Sequence, residues 1–523
     1  MTALALAPER PWAATGRLGL VLGLASGAAA ALAHPPFGAL PGLLGYAVLL
    51  HVVDRSSSLK SAFARGWAAG LAYFLISTWW VAEAFLVDAV AHGWQAPFAV
   101  AALAGGLALF WGAAGLAYRA LNPKGGLRIL VFAAVWGVAE WGRGNLLTGF
   151  PWDPPGASWV AGGPISQAAS VVGVYGLSLI TLAVAAAPAV LLGRADGLKT
   201  KLIAPGLAIL ALGGLWAFGS ARLAEPAPKP PGLRIRVVQP DIEQAMKWSL
   251  PEFQRIVARY LALTSEPATP RPDVVIWPES ALPAAAGDLL SQESWTRGAI
   301  VGSLSQGQTL LMGAYRTEGP SDGPIYFNSL VALKRTPEGF KLTGLYDKHH
   351  LVPFGEYLPM EPLMTRLGLK KIAGVGDGFT AGKKPGPMSP EGLPRFLPLI
   401  CYESLFPNYT LSRGGQRASW IVNISNDAWF GKTSGPPQHL NLASYRAIEA
   451  GLPMVRATPT GVSAVVDANG RTLASLGLGR TGVIDAPLPG ARAETIYARW
   501  GDLSFWLMII PCALISFRRG KRP

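Results

Sequence analysis

Charged residues are scarce in this chain. Only 15% of its 523 residues are Asp, Glu, Lys or Arg, whereas an average soluble domain carries about 25%. Cysteine is scarcer still, and the two that occur, Cys401 and Cys512, cannot build a disulfide scaffold. The sequence has no Cys/His cluster with metal-ligand spacing and no Walker-type glycine loop. We therefore expect no metal and no cofactor, and a single functional thiol remains possible.

Long apolar runs take the place of charge, since 50% of the residues are hydrophobic. A membrane-spanning helix needs about 20 mostly apolar residues. Eight runs approach this length, near 17–34, 38–53, 66–87, 96–118, 127–147, 168–192, 202–219 and 502–517. The second run is short. We interpret the first as an uncleaved helix, because a second run follows within a few residues. The sequence thus predicts a transmembrane bundle of about eight spans.

The positive charge alternates along these runs. Lys and Arg cluster before the first run, after the second, fourth and sixth, and again after the eighth, while the other connections hold few. Cytoplasmic loops carry the excess of Lys and Arg. We therefore expect both termini in the cytoplasm and the long polar segment after the seventh run in the periplasm of a bacterium. The net charge of +14 is thus a topology signal, and we expect no nucleic-acid binding.

The pattern changes after the proline-rich segment at 225–231. Short β-branched runs such as "LRIRVVQP" and "PDVVIWPES" alternate with amphipathic helical segments such as 251–265, which predicts an α/β or α+β domain. The predicted organisation is a membrane domain (1–224), a linker (225–231), a catalytic domain (232–488) and a final span with a basic tail (489–523).

Three polar residues follow apolar strands of this domain: Glu279, Lys348 and Cys401. Residues at strand ends are held by a rigid sheet beside an open cleft. A thiolate is a good nucleophile, a carboxylate can carry its proton, and an ammonium can stabilise an oxyanion. The three form a coherent set for acyl transfer, although spacing alone does not show that they meet.

The surrounding motifs carry a resemblance. "WPES", "YDKHHLVPFGEYLP" and "ICYES" occur in the order seen in the nitrilase superfamily. "NDAWFG", "EWGRGNLLTGFPW" and the flanking apolar runs are similar to the apolipoprotein N-acyltransferase family. The resemblance implies a nitrilase-like α-β-β-α sandwich on a membrane base. It also implies transfer of a fatty acyl group from a phospholipid to the amine of a diacylglyceryl-cysteine apolipoprotein.

Site roles follow from the matching motifs. The resemblance implies that Cys401 is the acylated nucleophile, Glu279 the general base and Lys348 the oxyanion stabiliser. Three residues are implied to support this triad: Glu356, Tyr402 and Glu403. The resemblance places Trp248 near a lipid entrance. We expect apolar neighbours to line the same entrance: Leu363, Met364 and Leu367. We also expect a membrane-embedded monomer.

Two alternatives remain open from the sequence. A membrane-tethered amidase would use the same triad and pass the acyl group to water. A transporter or scaffold would not need the triad, and no paired broken helices indicate one. The segments 151–159 and 456–465 depart from the family pattern, which leaves their lipid or acceptor contacts open.

Overall fold

The computed structural model describes residues 16–192, 197–247, 250–320, 323–360, 366, 378–384, 386–412 and 417–519. The proposed entrance residues Trp248, Leu363, Met364 and Leu367 lie outside this part of the chain.

The N-terminal half is helical. Its helices are α1 (Gly16–Ala31), α2 (Gly45–Asp54), α3 (Leu59–Thr78), α4 (Ala82–Leu86), α5 (Ala89–His92), α6 (Ala96–Leu121), α7 (Leu127–Asn145), α8 (Ala169–Ala186), α9 (Ala189–Leu192) and α10 (Leu198–Ala224). Small residues let α1, α3 and α6 approach closely. A Cβ at Gly27 would lie 1.8 Å from the carbonyl oxygen of Ala69, and one at Gly66 would lie 2.4 Å from that of Trp111.

Four helical segments in the described residues are long and apolar enough to cross a membrane: Leu59–Leu86, Ala89–Leu121, Ile165–Leu192 and Leu198–Ala224. The other predicted spans coincide with shorter or more charged helices. Helix α1 has 16 residues, and α7 carries the ion-paired Glu140 and Arg143. The predicted total of about eight spans therefore stays a prediction.

Helix α8 is broken near its start. Gly173 has φ 66° and ψ 175°, which are not helical values. A Cβ there would lie 2.1 Å from the ring of Tyr497, so only glycine fits. The N–H of Val174, freed by the break, donates to Oε1 of Glu449 at 2.8 Å. A carboxylate of the C-terminal half thus completes a helix of the N-terminal half.

The C-terminal half contains two stacked sheets. Its strands are β1 (Arg234–Gln239), β2 (Val274–Trp277), β3 (Thr309–Glu318), β4 (Ile325–Thr336), β5 (Gly339–Asp347), β6 (Phe396–Ile400), β7 (Trp420–Ile424), β8 (Met454–Ala457), β9 (Ser463–Val466), β10 (Thr472–Leu476) and β11 (Gly482–Pro487). One sheet has the order β11-β1-β2-β3-β4-β5 and the other β10-β9-β8-β7-β6. Strands β1, β2 and β3 are mutually parallel, as are β6, β7 and β8.

Helices cover the outer face of each sheet. The helices of this half are α11 (Gln244–Lys247), α12 (Phe253–Ser265), α13 (Ala286–Leu290), α14 (Trp295–Ser303), α15 (Gly435–Ala450), α16 (Ile496–Trp500) and α17 (Leu503–Arg519). Side chains of α12 and α14 pack on the first sheet and those of α15 on the second. A third apolar cluster, which includes Ile276 and Val422, fills the space between the sheets. The layers are therefore α-β-β-α, as predicted.

Candidate active site

The three predicted triad residues lie just past the ends of their strands. Glu279 follows β2 after one proline, Lys348 follows β5, and Cys401 follows β6 and opens the 3-10 helix Cys401–Leu405. Strands β2 and β5 belong to one sheet and β6 to the other. All three side chains are buried. The stacking of the two sheets therefore brings residues that are far apart in sequence to one end of the sandwich.

Lys348 sits between two carboxylates. Its Nζ lies 2.9 Å from Oε1 of Glu356 and 3.4 Å from Oε1 of Glu279. Burial alone would lower the pKa of Lys348, but the two carboxylates outweigh burial and raise it above its ordinary value. The side chain is therefore a permanent cation. Glu356 also accepts from the N–H of Val352 at 2.8 Å, so the turn after Lys348 fixes the carboxylate that orients it.

Asn328, on β4, is a site residue that the sequence reasoning missed. Its Nδ2 donates to Oε1 of Glu279 at 2.6 Å and to Oε1 of Glu356 at 2.9 Å. It thereby ties together the two carboxylates that flank Lys348. Glu279 keeps its other oxygen, Oε2, buried and without a hydrogen-bond partner among the described residues. That oxygen is the one free to receive a proton. The sequence gives little signal for Asn328, because β4 also contains Ser329 and, at its end, Lys334 and Arg335.

Cys401 is buried and protonated. Burial raises the pKa of its thiol to about 12, and the carboxylate of Glu279 acts in the same direction. Lys348 and a hydrogen bond with Ser425 oppose this shift. These influences show that both charged residues act on the sulfur. The thiol needs a base to become a nucleophile at neutral pH.

The backbone of Cys401 is held in an unusual conformation. Its φ is +49°, a left-handed value that costs an ordinary residue about 1–2 kcal/mol. Ser404 Oγ donates to the carbonyl oxygen of Cys401 at 2.8 Å and lies 3.1 Å from Nε2 of His439. The turn that points the thiol between the sheets is therefore secured from α15.

A buried charged cluster backs this turn. Asp427 Oδ1 lies 3.0 Å from Nδ1 of His439, and both oxygens of Asp427 accept from Nη2 of Arg456, at 2.9 and 2.8 Å. Burial alone would raise the pKa of Asp427, but Arg456 and His439 lower it well below its ordinary value. Asp427, from the "NDAWFG" motif, thus stays ionised and fixes His439 beneath the nucleophile.

Glu403 connects the lysine loop to the cysteine strand. Its Oε1 accepts from the Tyr346 hydroxyl at 2.7 Å and from the N–H groups of His349 and His350 at 2.8 and 3.1 Å. Its Oε2 accepts from the N–H of Ile400 at 2.8 Å. One fully buried carboxylate therefore sets the distance between the segment after β5 and the end of β6.

The site is built against the helical half. The hydroxyl of Tyr402 donates to the carbonyl oxygen of Gly149 at 2.6 Å, and Nε2 of His350 lies 3.0 Å from the carbonyl oxygen of Thr148. Trp152 lies in segment 151–159, whose sequence differs from the family pattern. Trp152 is buried and donates to Oε1 of Gln438 at 2.9 Å. The loop after α7 is thus part of the floor under the nucleophile.

Lys247 is, after Lys348, a second buried lysine near the site, and the sequence reasoning did not identify it. It ends α11, with 3% of the residue exposed, and its Nζ has no hydrogen-bond partner among the described residues. Burial lowers the pKa of Lys247 to about 8, and Glu279 raises it. Lys247 therefore lies within electrostatic reach of the proposed base.

Each half of the chain matches a known protein family. Residues 26–187 match the apolipoprotein N-acyltransferase N-terminal domain, and residues 234–497 match the carbon-nitrogen hydrolase family. The latter match, with the two stacked sheets, confirms the nitrilase-like fold. Among solved structures, the chain resembles Nit3 of Saccharomyces cerevisiae, of the nitrilase superfamily, at 18% identity and a TM-score of 0.35, over 49% of this chain and 90% of that one.

Relatives extend over nearly the whole chain. It is 54% identical over 518 residues to an apolipoprotein N-acyltransferase of Caulobacter vibrioides, covering 98% of this chain and 95% of that protein. It is 38% identical over 519 residues to the apolipoprotein N-acyltransferase of Rhodopseudomonas palustris, covering 96% and 95%. Identity of this extent joins the helical half and the hydrolase-like half in one enzyme, and the chain therefore belongs to the apolipoprotein N-acyltransferase family, the membrane acyltransferases of lipoprotein maturation.

Proposed function

We propose that the protein moves an acyl chain from a phospholipid, through a thioester on Cys401, to the N-terminal amine of a diacylglyceryl-cysteine apolipoprotein. The observation that carries this proposal is geometric: a buried thiol, a buried ammonium 3.4 Å from Oε1 of Glu279, and Oε2 of Glu279, unpartnered among the described residues, lie at the strand ends of the two stacked sheets. These are the three groups that acyl transfer through a thiol requires.

In the first half-reaction, Glu279 takes the proton of the Cys401 thiol as the sulfur attacks the ester carbonyl of the phospholipid. The ammonium of Lys348 stabilises the oxyanion of the tetrahedral intermediate. When the carbon–oxygen bond breaks, Glu279 returns the proton to the departing glyceryl oxygen. The products are a Cys401 thioester and a lysophospholipid.

In the second half-reaction, the uncharged amine of the acceptor attacks the thioester carbonyl. Glu279 accepts a proton from the attacking nitrogen and returns it to the sulfur as the carbon–sulfur bond breaks. The products are an amide and the original thiol, so the two half-reactions follow ping-pong kinetics. Both substrates use the same base and the same cation.

A membrane-tethered amidase is the second candidate, and it would give the thioester to water. The contacts of Tyr402 and His350 with the loop after α7 favour acyl transfer, since they hold the site against helices able to cross a membrane. An enzyme whose substrates both reside in a bilayer benefits from this placement.

Intact-mass spectrometry of the protein with phospholipid alone tests the proposal. We expect a fatty-acyl adduct that hydroxylamine removes, absent from Cys401→Ala and retained in Cys512→Ala. Release of free fatty acid instead of transfer, when the acceptor is supplied, would favour the amidase. Full transfer activity in Cys401→Ala would refute the thioester.

We further propose that the protein is a monomer in the bacterial inner membrane with its catalytic domain in the periplasm. The predicted entrance residues Trp248, Leu363, Met364 and Leu367 would admit acyl chains sideways from the bilayer. Trp248→Ala or Met364→Asp should then slow acylation by a long-chain phospholipid and spare acylation by a short, water-soluble thioester. Equal losses with both donors would make these residues part of the core.

A further inference from the structure

Lys247 is a buried cation that has no paired anion among the residues the structure describes. Only 3% of the residue is exposed, and its Nζ has no hydrogen-bond or ion-pair partner in the described part of the chain. A buried ammonium without a paired anion is costly, and natural proteins rarely retain one without a function. Its position therefore indicates that an anion from outside the protein completes the site.

The catalytic carboxylates do not fill this need. Oε1 of Glu279 is occupied by Asn328 and Lys348, at 2.6 and 3.4 Å, and Glu356 is bonded to the same two residues. Lys348 is thus the cation that pairs with both carboxylates. The charge of Glu279 raises the pKa of Lys247, but Nζ of Lys247 makes no hydrogen bond to either carboxylate oxygen of Glu279. It stands beside the reacting groups as a separate positive charge.

The helix that carries Lys247 is anchored to the opposite sheet. Gln244, one turn earlier on α11, accepts from Nδ2 of Asn426 at 3.0 Å. Asn426 lies just past β7, next to Asp427 of the cluster that backs the nucleophile. The position of Lys247 relative to Cys401 is therefore fixed by the same end of the sandwich that holds the triad.

We propose that Lys247 binds the phosphate of the phospholipid donor, an inference that rests on the proposed function. In such a donor only the glycerol backbone separates the reacting ester from a phosphodiester that is always negatively charged. A lysine ammonium binds phosphate as a point charge. When the ester carbonyl is at Cys401, the phosphate is the substrate's own anion closest to the reaction. Lys247 would thus favour phospholipids over neutral acylglycerols.

The test compares donors in the same mixed micelles: phosphatidylethanolamine and a diacylglycerol with identical acyl chains. Lys247→Gln should raise the KM for the phospholipid by about 10-fold to 100-fold, the usual loss for one charge-assisted contact, and leave the KM for the diacylglycerol unchanged. Lys247→Arg should restore most of the phospholipid affinity. Lys341→Gln, at an exposed lysine paired with Glu391, is the matched control and should change neither KM.

Equal losses with both donors, or an unchanged KM for the phospholipid, would overturn the assignment. If Lys247→Gln does not fold, inhibition of the wild-type protein decides. A lysophospholipid should then inhibit at least about 10-fold more strongly than the matching monoacylglycerol, and equal inhibition would overturn the proposal. Inorganic phosphate that inhibits as strongly as the lysophospholipid would show a site for free phosphate and overturn the headgroup assignment. Failure of the proposed function is distinct, because wild-type protein would then form no adduct at Cys401 with either donor.

Discussion

Replacing Asp427 by Asn tests how the charged cluster beneath the nucleophile stabilises the site. Asp427 and Arg456 are both fully buried, with an Oδ2–Nη2 distance of 2.8 Å. Asn keeps the shape but removes the charge, so Arg456 is left as an uncompensated buried cation. Breaking a buried ion pair in this way costs about 3–5 kcal/mol. For a domain of this size we expect the apparent Tm to fall by about 6–20 °C.

Thermal unfolding of the purified protein, followed by tryptophan fluorescence, measures this effect. Glu318→Gln is the matched control, since that carboxylate is 57% exposed and its partner Arg316 keeps Asp347. An exposed pair is worth about 0–1 kcal/mol, so the control should change the Tm little. A Tm for Asp427→Asn as high as that of the control would refute the reasoning.

The pH dependence gives a second, independent check. The folded-state pKa of Asp427 lies well below its ordinary value. The stabilisation is therefore complete above the unfolded pKa of about 4 and is lost as the pH falls toward the folded pKa. The difference in Tm between wild type and Asp427→Asn should be constant near neutral pH and narrow below about pH 4. A difference that widens on acidification would contradict the proposed ion pair.

Three further predictions concern the triad and its location. Glu279→Gln and Lys348→Met should each lower kcat/KM by orders of magnitude, and the double variant should lose far less than the product of the two, because the residues act as one unit; additive losses in free energy would argue against a shared site. In a Cys512→Ala background, Glu279→Gln should slow alkylation of Cys401 by iodoacetamide by at least about 10-fold at pH 7, because the loss of the base outweighs the lower thiol pKa that follows from removing its charge. The difference in alkylation rate between the protein that keeps Glu279 and the Glu279→Gln variant should narrow in alkaline solution, since the thiol pKa is raised to about 12. Equal alkylation rates at pH 7 would indicate a preformed thiolate. Reporter fusions should place both termini in the cytoplasm and residues 232–488 outside, and a cytoplasmic Cys401 would reject the predicted topology.

The fold could be predicted where local pattern and burial agree. The runs that contain β1 and β2 are rich in β-branched residues and the run that contains β6 is apolar, and the structure has strands there. Strand β8 has little local signal, because Met454–Ala457 is only four residues long and contains Arg456. Strand β5, which precedes Lys348, has a weaker sequence pattern, because most residues of Gly339–Asp347 are exposed or half-buried and include Lys341. Short strands depend on their neighbours in the sheet more than on their own sequence.

The candidate site follows the same rule. Glu279, Lys348 and Cys401 stand out in the sequence through their motifs, and the structure places them just past the ends of β2, β5 and β6, with Glu356 on the turn after the lysine. Their catalytic roles stay predictions. Asn328 and Lys247 could not be predicted, because their importance depends on the stacking of separate elements around Glu279. One-dimensional spacing does not encode which polar side chains share a buried space. The apolar runs predicted helices well, but length and charge in α1 and α7 leave the number of spans undecided.

The break in α8 has a consequence for how the protein is made. The Val174 N–H that the break exposes is satisfied by Glu449, a residue 275 positions later in the chain. Until Glu449 has been synthesised, the carboxylate that accepts from this N–H is missing, and a buried N–H without an acceptor is costly. Glu449 in turn is a buried carboxylate that needs this N–H and Arg446. The helical half therefore acquires its final hydrogen bonding only after residue 449 has been synthesised.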